Sequence, residues 1–111
     1  MTSILIVFSL WLPYDEAVKH YTKHKPLVIL ITASWCKYCP QAASNMEALY
    51  KRRYFNQIAI TKVDADSPYG RELMGTSSIP CFIIFKRGKE TERIVGYDEK
   101  KLTKVLEDFL K

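Results

Sequence analysis

The stretch Leu27 to Ala33 is almost wholly apolar and runs straight toward Trp35-Cys36-Lys37-Tyr38-Cys39, and this junction constrains the chain more than any other. An apolar run of that length reads as a strand. Behind the cysteines, Ala42, Ala43, Met46, Leu49 and Tyr50 form one stripe at helical spacing, so a helix follows the strand. A strand that hands Cys36 to a helix N-terminus exposes its sulfur to unpaired N–H groups and the positive end of the helix dipole, both of which favour a thiolate. Cys39, one turn later, shares that face and lies close enough to close a small disulfide ring with Cys36. The chemistry expected from the pair is thiol–disulfide exchange, with Cys36 as nucleophile and Cys39 as resolving thiol.

A single Cys-x-x-Cys is also half of a zinc site, or a short structural disulfide. A structural zinc site needs four ligands, and the rest of the chain supplies only Cys81, His20 and His24 with no second cysteine pair, so no metal is expected. A structural staple belongs to small cysteine-rich secreted domains, whereas this chain has 3 cysteines and 48% hydrophobic residues. Over 111 residues that apolar fraction suffices for one core, and residues 1–111 read as a single domain without linker or repeat. The net charge of +5 arises from 17 basic and 12 acidic residues interspersed along the chain, which implies a solvated basic surface and no nucleic-acid partner. The densest basic cluster, Lys51-Arg52-Arg53, falls near a helix C-terminus, where it complements the dipole.

Ile4 to Leu12, nine residues and mostly apolar, is too short to span a membrane. No Lys or Arg precedes it and no small-x-small site follows, so it reads as a strand in preference to a signal-peptide core. Pro13, Asp15 and Glu16 then open a helix carrying Tyr14, Ala17, Val18 and Tyr21, which Pro26 closes. A strand from Ile58 to Val63 follows the cysteine helix, and Pro68, Gly70 and Gly75 leave room only for a short helix around Arg71 to Met74. Cys81 to Phe85 and Thr91 to Val95 flank Lys86-Arg87-Gly88-Lys89 as an antiparallel hairpin, and Leu102, Val105, Leu106, Phe109 and Leu110 give a last helix its apolar face. This alternation predicts an α/β fold.

Taken in order, Trp35-Cys36-x-x-Cys39, Lys62-Val63-Asp64, Ile79-Pro80, Phe85-Lys86-Arg87-Gly88 and Val95-Gly96 resemble the thioredoxin family along nearly the whole chain. The resemblance implies a thioredoxin fold, a central mixed sheet of about five strands flanked by about four helices. It implies reduction of protein disulfides through a mixed disulfide, with no bound cofactor beyond the redox-active Cys36–Cys39 pair. The partners it implies are disulfide-containing protein substrates and a thioredoxin reductase or other upstream reductant, met by a cytoplasmic monomer with no membrane or nucleic-acid partner. Ile79-Pro80 becomes a cis peptide beside Cys36, an ordinary turn proline being the alternative. The Ile79 backbone is then free to pair with an extended substrate, and Trp35 packs beside the motif as shield and substrate surface. Two other classes share the fold: an accessory binding module with dispensable redox chemistry, and an exported oxidase or isomerase.

The chain also departs from the family. Lys37-Tyr38 stands where thioredoxins usually carry Gly-Pro, which predicts a more oxidising couple, two solvated residues without effect being the alternative. Leu30 occupies the place of a buried acid that in relatives pairs with the lysine matching Lys62 and helps deprotonate the resolving cysteine. Lys62 then points to solvent, finds Asp64 or Asp66, or is buried neutral, and two readings stand: it assists proton transfer at Cys39, or it is a solvated strand-end lysine. Pro40 falls in the first helical turn, where a missing N–H costs least, and Ser44 replaces the relatives' helix-kinking proline, which predicts a straighter helix. Cys81 reads as a small buried hydrophobe, with a wrong disulfide or a response to oxidation as the alternative.

Overall fold

β1 (Leu27–Thr32) holds the centre of the computed structural model, which describes residues 10–21 and 25–110. It lies parallel to β2 (Ala59–Asp64) on one side and antiparallel to β3 (Cys81–Lys86) on the other, and β4 (Lys89–Val95) extends the sheet from β3. Side chains alternate across a strand. Val28 and Leu30 therefore pack with Met46, Leu49, Phe82, Leu102 and Leu106 on one face, while Leu27, Ile29 and Ile31 pack with Ala17, Ala59 and Ile83 on the other. Burying each such aliphatic side chain is worth about 1.5–3 kcal/mol, which is why this strand is an unbroken apolar run. Helices α2 (Cys39–Leu49) and α4 (Glu99–Leu110) cover the first face, and α1 (Tyr14–Tyr21) and α3 (Pro68–Met74) contribute to the second.

The described residues hold four strands, where about five were expected. The difference is the Ile4–Leu12 run: residues 4–9 lie outside the described residues, and Leu10, Trp11 and Leu12 form no strand. Leu12 nonetheless touches the outer edge of β2, its N–H donating to the Ile60 carbonyl at 2.8 Å and its carbonyl accepting from Thr61 Oγ1 at 2.7 Å.

The basic cluster serves tertiary packing as well as the helix end. Instead of stopping at Leu49, α2 widens into a π turn, Tyr50–Tyr54, in which both tyrosines are buried. Arg52 pairs with Glu99 at 2.8 Å, Arg53 with Glu107 at 3.2 Å, and the Tyr54 hydroxyl donates to Glu107 at 2.9 Å. The exposed ion pairs are worth no more than about 1 kcal/mol each, so the buried tyrosines do most to join this turn to α4.

Two loops show local causes plainly. Arg87 and Gly88 both have positive φ, 54° and 81°, as a two-residue hairpin turn requires, and the turn lets the strands extend to Lys86 and Lys89. Helix α3 begins earlier than Arg71 because Ser67 caps it, its Oγ accepting from the Gly70 N–H at 2.9 Å, and Pro68 needs no partner in the first turn. Gly70 lies flat against the end of β2, where a Cβ would sit 1.8 Å from the Asp64 carbonyl oxygen. Gly70→Ala is therefore expected to cost on the order of 3 kcal/mol, read as a lowered urea midpoint, and an unchanged midpoint would refute the close approach.

Candidate active site

β1 releases the chain at Thr32, and the Cys36 N–H turns back to the Ala33 carbonyl at 3.1 Å. Helix α2 starts at Cys39 with no side-chain cap from Tyr38, and Pro40 brings no N–H to its first turn. Cys36 thus precedes the helix and faces an end whose N–H groups no side chain caps, which favours negative charge nearby. The two cysteines are disulfide-bonded with Cα atoms 5.4 Å apart. Their exposure differs: Cys36 is 8% exposed and Cys39 only 1%, so a partner meets Cys36 first.

Residues from three other segments complete the site. The Ile79–Pro80 peptide is cis, Pro80 is buried, and its carbonyl accepts from the Gly96 N–H at 2.7 Å. Among the described residues, no hydrogen bond uses the backbone N–H or carbonyl of Ile79. A groove of about 340 Å³ runs from Tyr38 past Ile79 and Pro80 to Tyr97, with Gln41 and Asn45 of α2 on one wall. Gln41 donates to Asn45 at 3.0 Å. The Tyr97 hydroxyl donates to Glu99 at 3.1 Å, and burial first, then that bond, raises its pKa. The sequence pattern did not single out Gln41, Asn45 or Tyr97. Gly96 marked the place, but only the fold brings these three to it.

Trp35 is 63% exposed, and its Nε1–H donates to Asp66 at 2.8 Å. Asp64 accepts from the Asp66 N–H at 2.8 Å. Among the described residues, neither acid forms an ion pair with Lys62. Lys62 is exposed, and its ammonium stands 5.0 Å from the centre of the Trp11 ring, a contact worth about 0.5–1 kcal/mol. Trp11 Nε1–H in turn donates to Glu47 of α2 at 2.6 Å. Neither Trp11 nor Glu47 was legible as a neighbour of Lys62, because one precedes the fold's first helix and the other lies on α2, and only the fold brings them to β2. Leu30 is the pairing partner of Lys62 across the strands and is fully buried.

Lys37 and Tyr38 are both exposed, with the ammonium 5.7 Å from the ring centre. Cys81 is wholly buried in the same cluster as the cysteine pair, and burial pushes its thiol pKa up against the opposing pull of Arg93 and a hydrogen bond with Ser77. Among the described residues, no group of three or more His, Cys, Asp or Glu is placed to hold a metal ion, and no helix is long and apolar enough to cross a membrane. His24 lies outside the described residues.

Comparison with known proteins gives this geometry a family. The family model for thioredoxin matches residues 11–108. The chain is 30% identical over 101 residues to a thioredoxin H-type of Chlamydomonas reinhardtii, covering 90% of this chain and 88% of that protein. It is 44% identical over 69 residues to a thioredoxin of Chlamydia muridarum, covering 61% and 66% respectively. The crystal structure of a Malassezia sympodialis thioredoxin superposes with a TM-score of 0.72 at 29% identity, covering 88% of this chain and 86% of that one. The chain belongs to the thioredoxin family and is a thiol–disulfide oxidoreductase, whose members act on disulfide substrates and are reduced by thioredoxin reductase.

Proposed function

We propose that this chain reduces disulfides in protein partners, with Cys36 as nucleophile and Cys39 as resolving thiol. The observation that carries the reading is the difference in exposure between the two sulfurs' residues at the uncapped head of α2. The Cys36 thiolate attacks one sulfur of the partner's disulfide, the partner's S–S bond breaks, and the other partner sulfur leaves as a thiolate. Cys39, deprotonated, then attacks the Cys36 sulfur, which forms the Cys36–Cys39 disulfide and releases the second partner thiol, so two electrons pass to the partner. A thioredoxin reductase or other upstream reductant restores the dithiol.

Substrate pairing falls to the Ile79 backbone beside Pro80, with Trp35 and Tyr38 as exposed surface around it. Main-chain pairing is blind to sequence, so the range of substrates is broad. A cytoplasmic monomer suits this role, since a reducing compartment keeps the dithiol available.

Lys37-Tyr38 makes the couple more oxidising than Gly-Pro between the same cysteines. Redox titration against glutathione, coupled to reduction of insulin, tests direction and poise together. Wild type reduces insulin, and exchange of Lys37-Tyr38 for Gly-Pro lowers the potential by on the order of 30 mV, equal to about 1.4 kcal/mol. An inert protein would refute the function, and an unchanged or raised potential would refute the tuning.

With Leu30 buried and Lys62 exposed, water takes the Cys39 proton and resolution is slow. Leu30→Asp, at a cost of about 2–4 kcal/mol in stability, is expected to speed mixed-disulfide decay between pH 6 and 9. Unchanged decay across that range contradicts the assignment.

A further inference from the structure

The segment between α3 and β3 presents Ile79 and Pro80, yet its own bonds are few. The Gly75 N–H reaches the Arg71 carbonyl at 3.1 Å and the Ser77 N–H reaches the Met74 carbonyl at 3.0 Å, both before the residues that matter. What fixes the segment comes from β4. Arg93 Nη1 donates to the Met74 carbonyl and to the Ser77 hydroxyl, each at 2.9 Å. Its Nε and Nη2 donate to the two oxygens of Glu90, each at 2.8 Å. Three residues further along the same strand direction, Gly96 holds the Pro80 carbonyl. The segment is therefore tied on both sides of Ser78 and Ile79, by Arg93 of β4 and by Gly96 just past its end, and the unbonded backbone of Ile79 lies between the ties.

A guanidinium is suited to this because its donors lie in one rigid plane: one edge grips a carboxylate while the other reaches two acceptors, which an ammonium cannot reproduce. We propose that Arg93 is a positioning residue for protein substrates. By tying Met74 and Ser77 to β4 it holds Ile79 ready to pair with an extended partner, so less ordering remains to be paid when the partner binds. Arg93 acts through the segment and not on the sulfurs of Cys36 and Cys39, and the proposal rests on the dithiol chemistry and strand pairing set out under Proposed function.

A small disulfide needs Cys36 but not the Ile79 backbone, so comparison of two substrates isolates the effect. Reduced wild type, Arg93→Met and Arg93→Lys are each mixed with insulin and, separately, with a small aromatic disulfide, and second-order rate constants are measured. Arg93→Met is expected to lower the insulin rate constant about tenfold while the small-disulfide constant stays within about twofold. Arg93→Lys is expected to fall between, since it keeps one donor to Met74 or Ser77 and loses the grip on Glu90. Equal losses with both substrates, or no loss with either, overturn the proposal. Should Arg93→Met not fold, Ser77→Ala and Glu90→Gln each remove one side of the tie and are read by the same ratio, with a drop in the insulin constant alone supporting the proposal and an unchanged ratio overturning it. A wild type inert toward both disulfides overturns the dithiol chemistry and this proposal with it, whereas equal ratios in active variants overturn the role of Arg93 alone.

Discussion

Burial of β1 on both faces is the constraint from which the rest of the architecture follows. With β2 and β3 hydrogen-bonded to its edges and helices above and below, the strand has no freedom to slip: a shift of one residue would exchange Leu30 with Ile29 or Ile31 between two cores of different shape. The point at which the chain leaves the sheet is fixed in consequence, and with it the position of Cys36 between the strand end and α2. The local turn to Ala33 and the uncapped start of α2 act on a sulfur that the strand has already placed.

Around that point the protein divides labour among segments distant in sequence. Helix α2 supplies the electrostatic end, β3 begins beside the cis Pro80, and β4 anchors the approach to Pro80 through Arg93 and Gly96. The end of β2 holds Trp35 through Asp66. The end of α2 acts on the sulfur itself, while the other contacts shape the surface that a partner meets.

Much of this was legible in the chain because it is written in local pattern. The apolar run of β1, the cysteine spacing, the Arg87-Gly88 turn and the helical stripes of α2 and α4 each declare themselves within a few residues. What escaped is carried by pairs far apart. Apart from the local Ser67 cap, which starts α3 ahead of Arg71, the hold on Trp35 comes from an acid 31 residues away. Arg52 and Arg53 looked like complements to a helix dipole until α4 supplied Glu99 and Glu107. Lys62 left two readings open because its aromatic neighbour, Trp11, comes from the segment ahead of α1. The Ile4–Leu12 strand lies mostly outside the described residues, and the part within them is not a strand.

The account depends on Cys36 being the more acidic and more accessible thiol of the pair. Brief treatment of the reduced protein at pH 7 with limiting iodoacetamide, followed by mass mapping of the labelled peptides, measures this directly. The account predicts label on Cys36 at a rate well above that of free cysteine, with Cys39 and Cys81 unlabelled. Label first on Cys39, or a Cys36 no faster than free cysteine, would contradict it.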